Sequence, residues 1–496
     1  MSNSPSASTW KSQAGYIWAL IGSAVGFANV LSFSAQVYKN GGGAFLIPYV
    51  LALLILGVPM LILEGLIGHK WKLPLVGAYA KSWGDVGKIF GWLSVIACLT
   101  IGAFYLVLTG YSAAYTYFAA FSLIPEDSQS FFLHSFLKIT PGIDDFGSFS
   151  LPILFATLGV SCVAWAILVR QVKDGIEKIC SCFMPLLALM IGLFAIAVCF
   201  LPGGINGWHY YLSPHFEKLS DPSLWRDVFG QLFFSLSLGL GIIIGYSRHT
   251  DKNTNIVRAM IWVALGDFAV SFVAGFAIFG CLAHISYVEG IPFDSILTTD
   301  SAFEIGFILF PKILNTFGPL SALLGTVFFF CVFIAGITGV FSIVESIAGN
   351  VEVEFKVNRA QAVTFVMVGM VGLACFFCMG NASYLIDALV PMLLGTNMLI
   401  GGLVLILAFV YRRPIQSDDS LWTENNRSFY IVCLKYLAPA ILSLILILNL
   451  WNESLGLDIE KVIRWSWFGA ALLLSGLMTY TTRENHLPDL KPLSKS

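Results

Sequence analysis

Two apolar stretches of this sequence carry small and polar residues at their centres. The first contains GSAVGFAN, Gly22 to Asn29, and the second is GQLFFSLSLGLGIIIGY, Gly230 to Tyr246. Where a helix is interrupted inside a bilayer, the exposed backbone carbonyls can bind a cation and the N-termini of the half-helices can bind an anionic group. A pair of such interruptions at corresponding positions of two repeats predicts a binding site near the membrane midplane.

Each of these features has a structural alternative. Small residues also allow two membrane helices to pack closely, and one interrupted helix alone would favour that reading. Asn29 could simply bridge two helices, which contributes less than about 1 kcal/mol. Tyr105 could face lipid or the protein core. Asp267 differs from these, because an ionisable group in an apolar span is costly and indicates a functional site. Glu64 raises the same question.

Composition identifies the class of protein in which these residues lie. The chain has 496 residues, of which 57% are hydrophobic and 11% are charged, whereas a soluble protein would have about a quarter charged residues. This indicates a polytopic membrane protein. The net charge of −2 comes with no basic patch for nucleic acid. Cys375 and Cys378, a CxxC on an apolar helix, are interpreted as core residues rather than as metal ligands or a redox pair. The sequence has no HExxH motif and no serine–histidine–acid pattern, so we do not expect an enzyme.

The apolar runs predict an all-α integral membrane protein with twelve transmembrane helices, called spans 1 to 12 below. The spans lie at about 13–37, 43–68, 88–122, 151–169, 176–202, 227–247, 256–285, 318–349, 361–380, 384–411, 430–451 and 463–482. Lysine and arginine cluster in the connections 2–3, 4–5 and 6–7, and acidic residues in the connections 3–4 and 7–8. The positive-inside rule therefore places both termini in the cytoplasm.

No soluble domain interrupts the spans, so residues 1–496 are predicted to form one membrane domain. The two interrupted helices, spans 1 and 6, are five apart. This odd offset indicates two five-span repeats of opposite orientation. The repeats cover about 13–202 and 227–411, and spans 11 and 12 follow at about 430–482.

Several segments resemble the neurotransmitter:sodium symporter family, and its bacterial amino-acid members such as the leucine transporter in particular. They are GSAVGFAN, NGGGAFLIPY from Asn40 to Tyr49, GQLFFSLSLG in span 6, AGITG in span 8, and the Gly-x9-Pro spacing from Gly175 to Pro185. The resemblance covers nearly the whole chain. It implies a leucine-transporter type of fold and sodium-driven uptake.

The resemblance also implies two sodium sites, since sodium is a hard cation that takes oxygen ligands. The residues that match the first sodium site are Ala24, Asn29, Ser235 and Asp267. The residues that match the second are Gly22, Val25, Ala335 and Thr338. In the second site Gly339 stands where the family has a hydroxyl, which puts the second ion in question. In chloride-dependent relatives the anion is held by residues that match Tyr49, Gln231, Ser235 and Ser271.

A substrate site follows from the same matches. In the family, residues matching Tyr105 and Phe234 bind the substrate carboxylate and close the site from outside, respectively. The full set implied is Ser23, Ala24, Phe27, Ala28, Ile101, Tyr105, Phe234, Ser235, Ser237, Leu240, Gly339 and Ile343. Animal monoamine carriers have an aspartate at the position of Gly26, so its absence favours an α-amino acid. The matched positions are largely apolar, and Leu240 and Gly339 are smaller than the leucine transporter's residues there, which favours a large neutral side chain, aliphatic or aromatic.

Two ion pairs of the family are missing from this sequence. Ser32 replaces an arginine that pairs with an acid in span 10, where Asp387 is the nearest acid. The arginine expected before Trp10 is also absent, and His249 replaces a tyrosine near the inner side.

The sequence thus predicts sodium-coupled symport of a neutral, hydrophobic amino acid by alternating access, with Na⁺, the amino acid and the lipid bilayer as the only partners implied. The predicted location is the plasma membrane, as a multi-pass protein of a bacterial inner membrane. A proton-coupled carrier of the same fold and a non-transporting amino-acid sensor remain as alternatives.

Overall fold

The computed structural model describes residues 9–296, 305–315, 318–415, 424–456 and 458–483. Within these ranges the chain is helical and forms no strand. In the described part of the chain, ten continuous helices are long and apolar enough to cross a membrane. They are Gly43–Trp71, Leu75–Ala120, Leu151–Leu168, Ile176–Cys199, Ile256–Glu289, Gly318–Phe355, Arg359–Cys378, Ala382–Arg412, Ser428–Ser454 and Ile459–Thr481. The termini, which the sequence predicts to be cytoplasmic, lie outside the described residues.

Span 1 is broken, as its small residues suggested. Its halves, Gln13–Ala24 and Ala28–Lys39, meet at an angle of 60°. In a continuous helix the Gly26 N–H would donate to the Gly22 carbonyl. Here it donates to the Asn29 side-chain oxygen at 2.8 Å. Asn29 therefore satisfies the backbone donor that the break exposes.

Span 6 is also interrupted. It consists of the helices Pro222–Ser235 and Ile242–Ser247. Between them Ser237, Gly239 and Gly241 have positive φ angles of 52°, 79° and 75°, a region that glycine enters at little cost. The Gly239 N–H donates to the Glu64 carboxylate at 2.8 Å. Each half is too short to cross a membrane alone, so the described residues support up to eleven spans and the twelfth stays a prediction.

Two of the differences from the predicted helices concern the connections between spans. Span 3 was expected to begin at residue 88, but the helical region begins at Leu75 and is kinked at Gly84, where φ is 64° and ψ is −143°. A short helix, Gly204–Leu212, follows span 5 in a stretch that the sequence predicted as a connection. Both differences lie outside the apolar runs, where hydropathy carries no signal.

Spans 3 and 8 are the buried centre of the bundle. About 83% of the apolar 18-residue stretch of each is buried, against 22% for spans 11 and 12. Spans 3 and 8 pack extensively against each other, and the first half of span 1 packs against spans 5, 7 and 8. The interrupted helices therefore lie beside the most buried spans, where irregular backbone is shielded from lipid.

Candidate functional site

A buried cluster of oxygen atoms lies next to the break in span 1. The Asn29 amide nitrogen is 2.6 Å from an Asp267 carboxylate oxygen, 2.9 Å from the Ser235 hydroxyl and 2.8 Å from the Ser271 hydroxyl. The Ser235 hydroxyl is 2.9 Å from both Asp267 carboxylate oxygens. The structure thus brings together three of the four residues predicted for the first sodium site, from spans 1, 6 and 7.

The chemistry of this cluster suits a hard monovalent cation. The Asn29 amide nitrogen also lies 3.3 Å from the Asp267 backbone carbonyl, so four oxygens surround one group that has only two hydrogens. One carboxylate with hydroxyl, amide and carbonyl oxygens is the donor set that hard cations take. The first half of span 1 ends at Ala24, the fourth predicted residue.

The residues predicted for the second sodium site lie where span 1 packs against span 8. Because the Gly26 N–H bonds to Asn29, the Gly22 carbonyl loses that helical partner. Val25, next to the break, has a ψ of 110°. On span 8, the Thr338 hydroxyl is 2.9 Å from the Ile334 carbonyl and 3.2 Å from the Ala335 carbonyl. These four residues are all buried.

A small cavity of about 30 Å³ lies at the centre of the bundle. Its walls come from spans 1, 3, 6, 8 and 10. The lining residues are Ser23, Ala24, Gly26, Ala28, Ile101, Tyr105, Phe234, Ser237, Leu240, Ile242, Gly339, Ser342, Ile343 and Leu394. This is small beside the roughly 150 Å³ of a protein cavity that holds benzene, so an amino acid can enter only if the walls move apart. We call this the central cavity.

Two predicted substrate residues do not line the central cavity. Phe27 packs against the Tyr105 ring with the centroids 4.9 Å apart, and Ser235 belongs to the oxygen cluster. The structure adds four residues that the sequence analysis did not include: Gly26, Ile242, Ser342 and Leu394. Ser342 lies one helical turn after Gly339 and could have been found from that spacing. Leu394 gave no signal because only tertiary packing brings span 10 to the cavity.

A larger cavity of about 480 Å³ lies next to the central one, between the outer ends of spans 1, 6, 10, 11 and 12. We call this the outer cavity, using the orientation predicted by the positive-inside rule. Phe234 and Leu394 line both cavities and therefore separate them. Ser32 also lines the outer cavity and donates to the Gln231 side chain at 2.9 Å. Asp387 lies elsewhere, on a separate cavity beside Tyr111 and Tyr384.

On the inner side, a network of charged residues links spans 6, 8 and 9. Buried Glu345 lies 2.7 Å from Arg359, 3.1 Å from His249 and 3.4 Å from Arg248. Glu352 lies 3.2 Å from the same Arg248. This network lies where the sequence lacks the family's inner ion pair. The role of Glu345 cannot be seen in the sequence, because the partners of this glutamate lie on other spans.

The N-terminal segment is attached to the same region without an arginine. The Trp10 indole donates to the Tyr246 carbonyl at 3.0 Å, and its backbone N–H donates to the His249 carbonyl at 3.2 Å. Buried Glu177 of span 5 accepts from the Lys11 backbone N–H at 2.7 Å. Hydrogen bonds to backbone carbonyls, the Glu177 carboxylate and an exposed ion pair between Lys11 and Asp174 therefore hold the start of span 1 against spans 5 and 6.

Interrupted helices that meet at a buried cluster of oxygen atoms, with a cavity leading to one side, are typical of secondary transporters. The chain belongs to the Sodium:neurotransmitter symporter family, whose profile matches residues 7–128 and 121–480. It is therefore a sodium-dependent transporter and not an enzyme, and sodium is the coupled ion.

Curated relatives agree with this assignment. The chain is 34% identical to an uncharacterized sodium-dependent transporter of Methanocaldococcus jannaschii, over 90% of both chains. It is 27% identical to an uncharacterized sodium-dependent transporter of Haemophilus influenzae, over 80% of this chain and 82% of the relative. It is 26% identical to the sodium-dependent dopamine transporter of Bos taurus, over 89% of this chain and 69% of the relative.

Asp267→Asn tests the oxygen cluster. Removal of the carboxylate charge should raise the sodium concentration for half-maximal uptake at least about tenfold, which corresponds to about 1.4 kcal/mol. Because the Asp267 charge no longer repels an anion, uptake should also begin to respond to chloride. The measurement is uptake at graded sodium, with chloride or gluconate as the anion. Exposed Asp251→Asn is the matched control. Chloride dependence of the unmodified protein would show that Asp267 does not carry this charge.

Gly339→Ser tests the space around Tyr105. A Cβ at Gly339 would lie 2.6 Å from the Tyr105 hydroxyl and 2.8 Å from its ring. An added side chain must therefore displace the tyrosine, and we expect the KM for substrate to rise about tenfold or more. Gly372→Ser on span 9, where a Cβ meets no atom within 4 Å, should leave the KM unchanged. A Gly339→Ser protein with the original KM would show that Tyr105 has room to move.

His249 should make the inner side sensitive to pH. Burial and the neighbouring Arg248 guanidinium lower the pKa of His249 from its usual 6.5. At a pH between the lowered pKa and the usual one, His249 binds a proton in the unfolded chain but not in the folded one. The contribution of His249 to the free energy of unfolding therefore falls as the pH drops through about 6.5. We expect the melting temperature of the unmodified protein to decrease more between pH 7.5 and 5.5 than that of His249→Gln. Equal decreases in the melting temperatures of the two proteins would show that the pKa of His249 is not lowered.

Proposed function

We propose that this protein carries a neutral, hydrophobic amino acid together with sodium, by alternating exposure of the central cavity to the two sides of the membrane. The observation that supports this most directly is the lining of the central cavity. None of the described residues that line it is charged, and five are large aliphatic residues: Ile101, Leu240, Ile242, Ile343 and Leu394. A charged side chain would find no counter-ion there and would be costly to bury.

The surroundings of Tyr105 argue against an amine without a carboxylate. Such a substrate would need an acidic partner, and the family's position for it is Gly26. A Cβ at Gly26 would collide with the Tyr105 hydroxyl, so this chain has no room for an aspartate at that position without rearrangement. An α-amino acid brings its own carboxylate, which can accept from Tyr105 and lie beside the cation bound at Asn29 and Asp267.

Two barriers separate the central cavity from the two sides of the membrane, and this arrangement supports alternating access. Phe234 and Leu394 stand between the central and outer cavities. On the inner side, the charged network around Glu345 and the docked Trp10 lie between the central cavity and the cytoplasmic ends of the helices. Transport requires that these two barriers open in turn, which interrupted helices allow because their halves can move separately.

We further propose the location that the sequence indicates. The protein would lie in the plasma membrane of a bacterium, with both termini in the cytoplasm. Cysteine residues introduced near either terminus should then react with a membrane-permeant thiol reagent but not with an impermeant one added outside.

Uptake into proteoliposomes tests the proposal. With an inward sodium gradient, labelled leucine, phenylalanine or tryptophan should accumulate, whereas lysine, glutamate and dopamine should not. A proton gradient without sodium should give no accumulation. Accumulation driven by protons alone would identify a proton-coupled carrier. Sodium-dependent binding without accumulation would identify a sensor, and preference for dopamine would overturn the assignment of an amino-acid substrate.

A further inference from the structure

The outer cavity carries charged residues on two of its walls. Arg226 and Asp227 lie on span 6, and Glu453 and Arg464 lie at the outer ends of spans 11 and 12. Within each wall the charges pair with each other. Arg464 lies 2.6 Å from Glu453, and Arg226 lies 3.7 Å from Asp227. Among the residues that the structure describes, no ion pair joins the two walls.

Only one of the two carboxylate oxygens of Glu453 has a hydrogen-bond partner. One of its carboxylate oxygens accepts from Arg464, whose other nitrogens donate to the Ala388 carbonyl at 2.7 Å and to Glu460 at 2.8 Å. The second Glu453 oxygen is buried and has no hydrogen-bond partner. An unpaired buried carboxylate oxygen is costly, and a cation that reached it would be stabilised.

Arg226 is only loosely held by the residues around it. Its side chain is 43% exposed, and its contact with Asp227 is long for an ion pair. Asp227 has other partners, since it lies 3.4 Å from Lys39 and 3.3 Å from the Asn40 amide. Arg226 can therefore leave Asp227 without leaving that carboxylate unpaired.

The position of Arg226 on its helix connects it with the central cavity. Arg226 and Phe234 are eight residues apart in the continuous helix Pro222–Ser235, so they lie on one face, about two turns from each other. A movement that brings Arg226 towards span 11 would carry Phe234 with it. Phe234 is one of the two residues that separate the cavities.

We propose that the outer cavity closes on an ion pair between Arg226 of span 6 and the free carboxylate oxygen of Glu453 of span 11. This pair takes the place of a latch at Ser32, which carries no charge and bonds to Gln231. Arg464 is the positioning residue that holds Glu453. The inference rests on the proposed function, because closure is expected when sodium and an amino acid are bound.

The test uses a cysteine in the outer cavity as a reporter. Gly230 lines this cavity, and a Cβ there meets no atom within 4 Å. Gly230→Cys is placed in every sample, and its labelling by an impermeant maleimide is timed with and without sodium plus a mixture of leucine, phenylalanine and tryptophan. The same chain without Gly230→Cys gives the background. We expect the solutes to slow labelling about fivefold or more.

Variants then distinguish the proposed ion pair between Arg226 and Glu453 from the residues that only hold Glu453 in place. Arg226→Ala and Glu453→Gln should each reduce the slowing to less than about twofold. Arg226→Lys should retain most of it. Glu460→Gln is the matched control, because it removes the other carboxylate from Arg464 and leaves Glu453 itself unchanged. The double variant Arg226→Ala with Glu453→Gln should reduce the slowing of labelling no further than either single variant does, because the two residues act through one ion pair.

Three results would overturn the ion pair. They are additive effects of Arg226→Ala and Glu453→Gln, equal effects of Glu453→Gln and Glu460→Gln, and unchanged slowing in Arg226→Ala. A different result addresses the proposed function itself. If no amino acid slows labelling when Arg226 and Glu453 are both intact, although sodium alone changes the rate, the substrate class is wrong.

Discussion

A backbone polar group inside a bilayer must find its partner within the protein, and this structure depends on how two interrupted helices meet that requirement. In span 1 the Asn29 side chain accepts from the Gly26 N–H, and in span 6 the Glu64 carboxylate accepts from the Gly239 N–H. Each break is thus stabilised by one side chain. The same breaks leave carbonyl oxygens available at the depth where a cation is hardest to desolvate.

Asn29 joins this structural requirement to ion binding. Its oxygen stabilises the break, while its nitrogen lies among the oxygens of Ser235, Asp267 and Ser271. A cation that takes oxygens from this cluster would compete with the amide nitrogen for Asp267 and Ser235. Sodium bound at this cluster would therefore be coupled to the geometry of span 1 through one side chain, and it would act directly on a helix that lines the central cavity.

The two sides of the membrane are closed by different chemistry. On the inner side, Glu345 collects Arg248, His249 and Arg359 in a buried network. On the outer side, Phe234 and Leu394 form a thin apolar barrier below a cavity whose charges are paired within each wall. Removing one partner from a buried network leaves an unpaired charge, which typically costs about 3–5 kcal/mol. Opening the inner side therefore requires these charged residues to find other partners or water.

The sequence by itself determined the membrane class, the approximate spans and the residues that are costly in an apolar helix. Asn29 and Asp267 stood out because few polar groups occur in such runs, and the positions of the breaks followed from glycine and serine in spans 1 and 6. The assignments of Ala24, Thr338 and Tyr105 came from the resemblance to the family, since carbonyls, hydroxyls and aromatic rings are common in any membrane helix.

Only the tertiary structure decided which distant residues meet. Leu394 reaches the central cavity, Glu345 meets two arginines, and Glu453 meets Arg464 because separate spans pack side by side. Hydropathy reports how a residue partitions between water and lipid, and it contains no information on which spans are neighbours. A glutamate in an apolar run therefore marks a site in the sequence, but its partner is known only once the helices are packed.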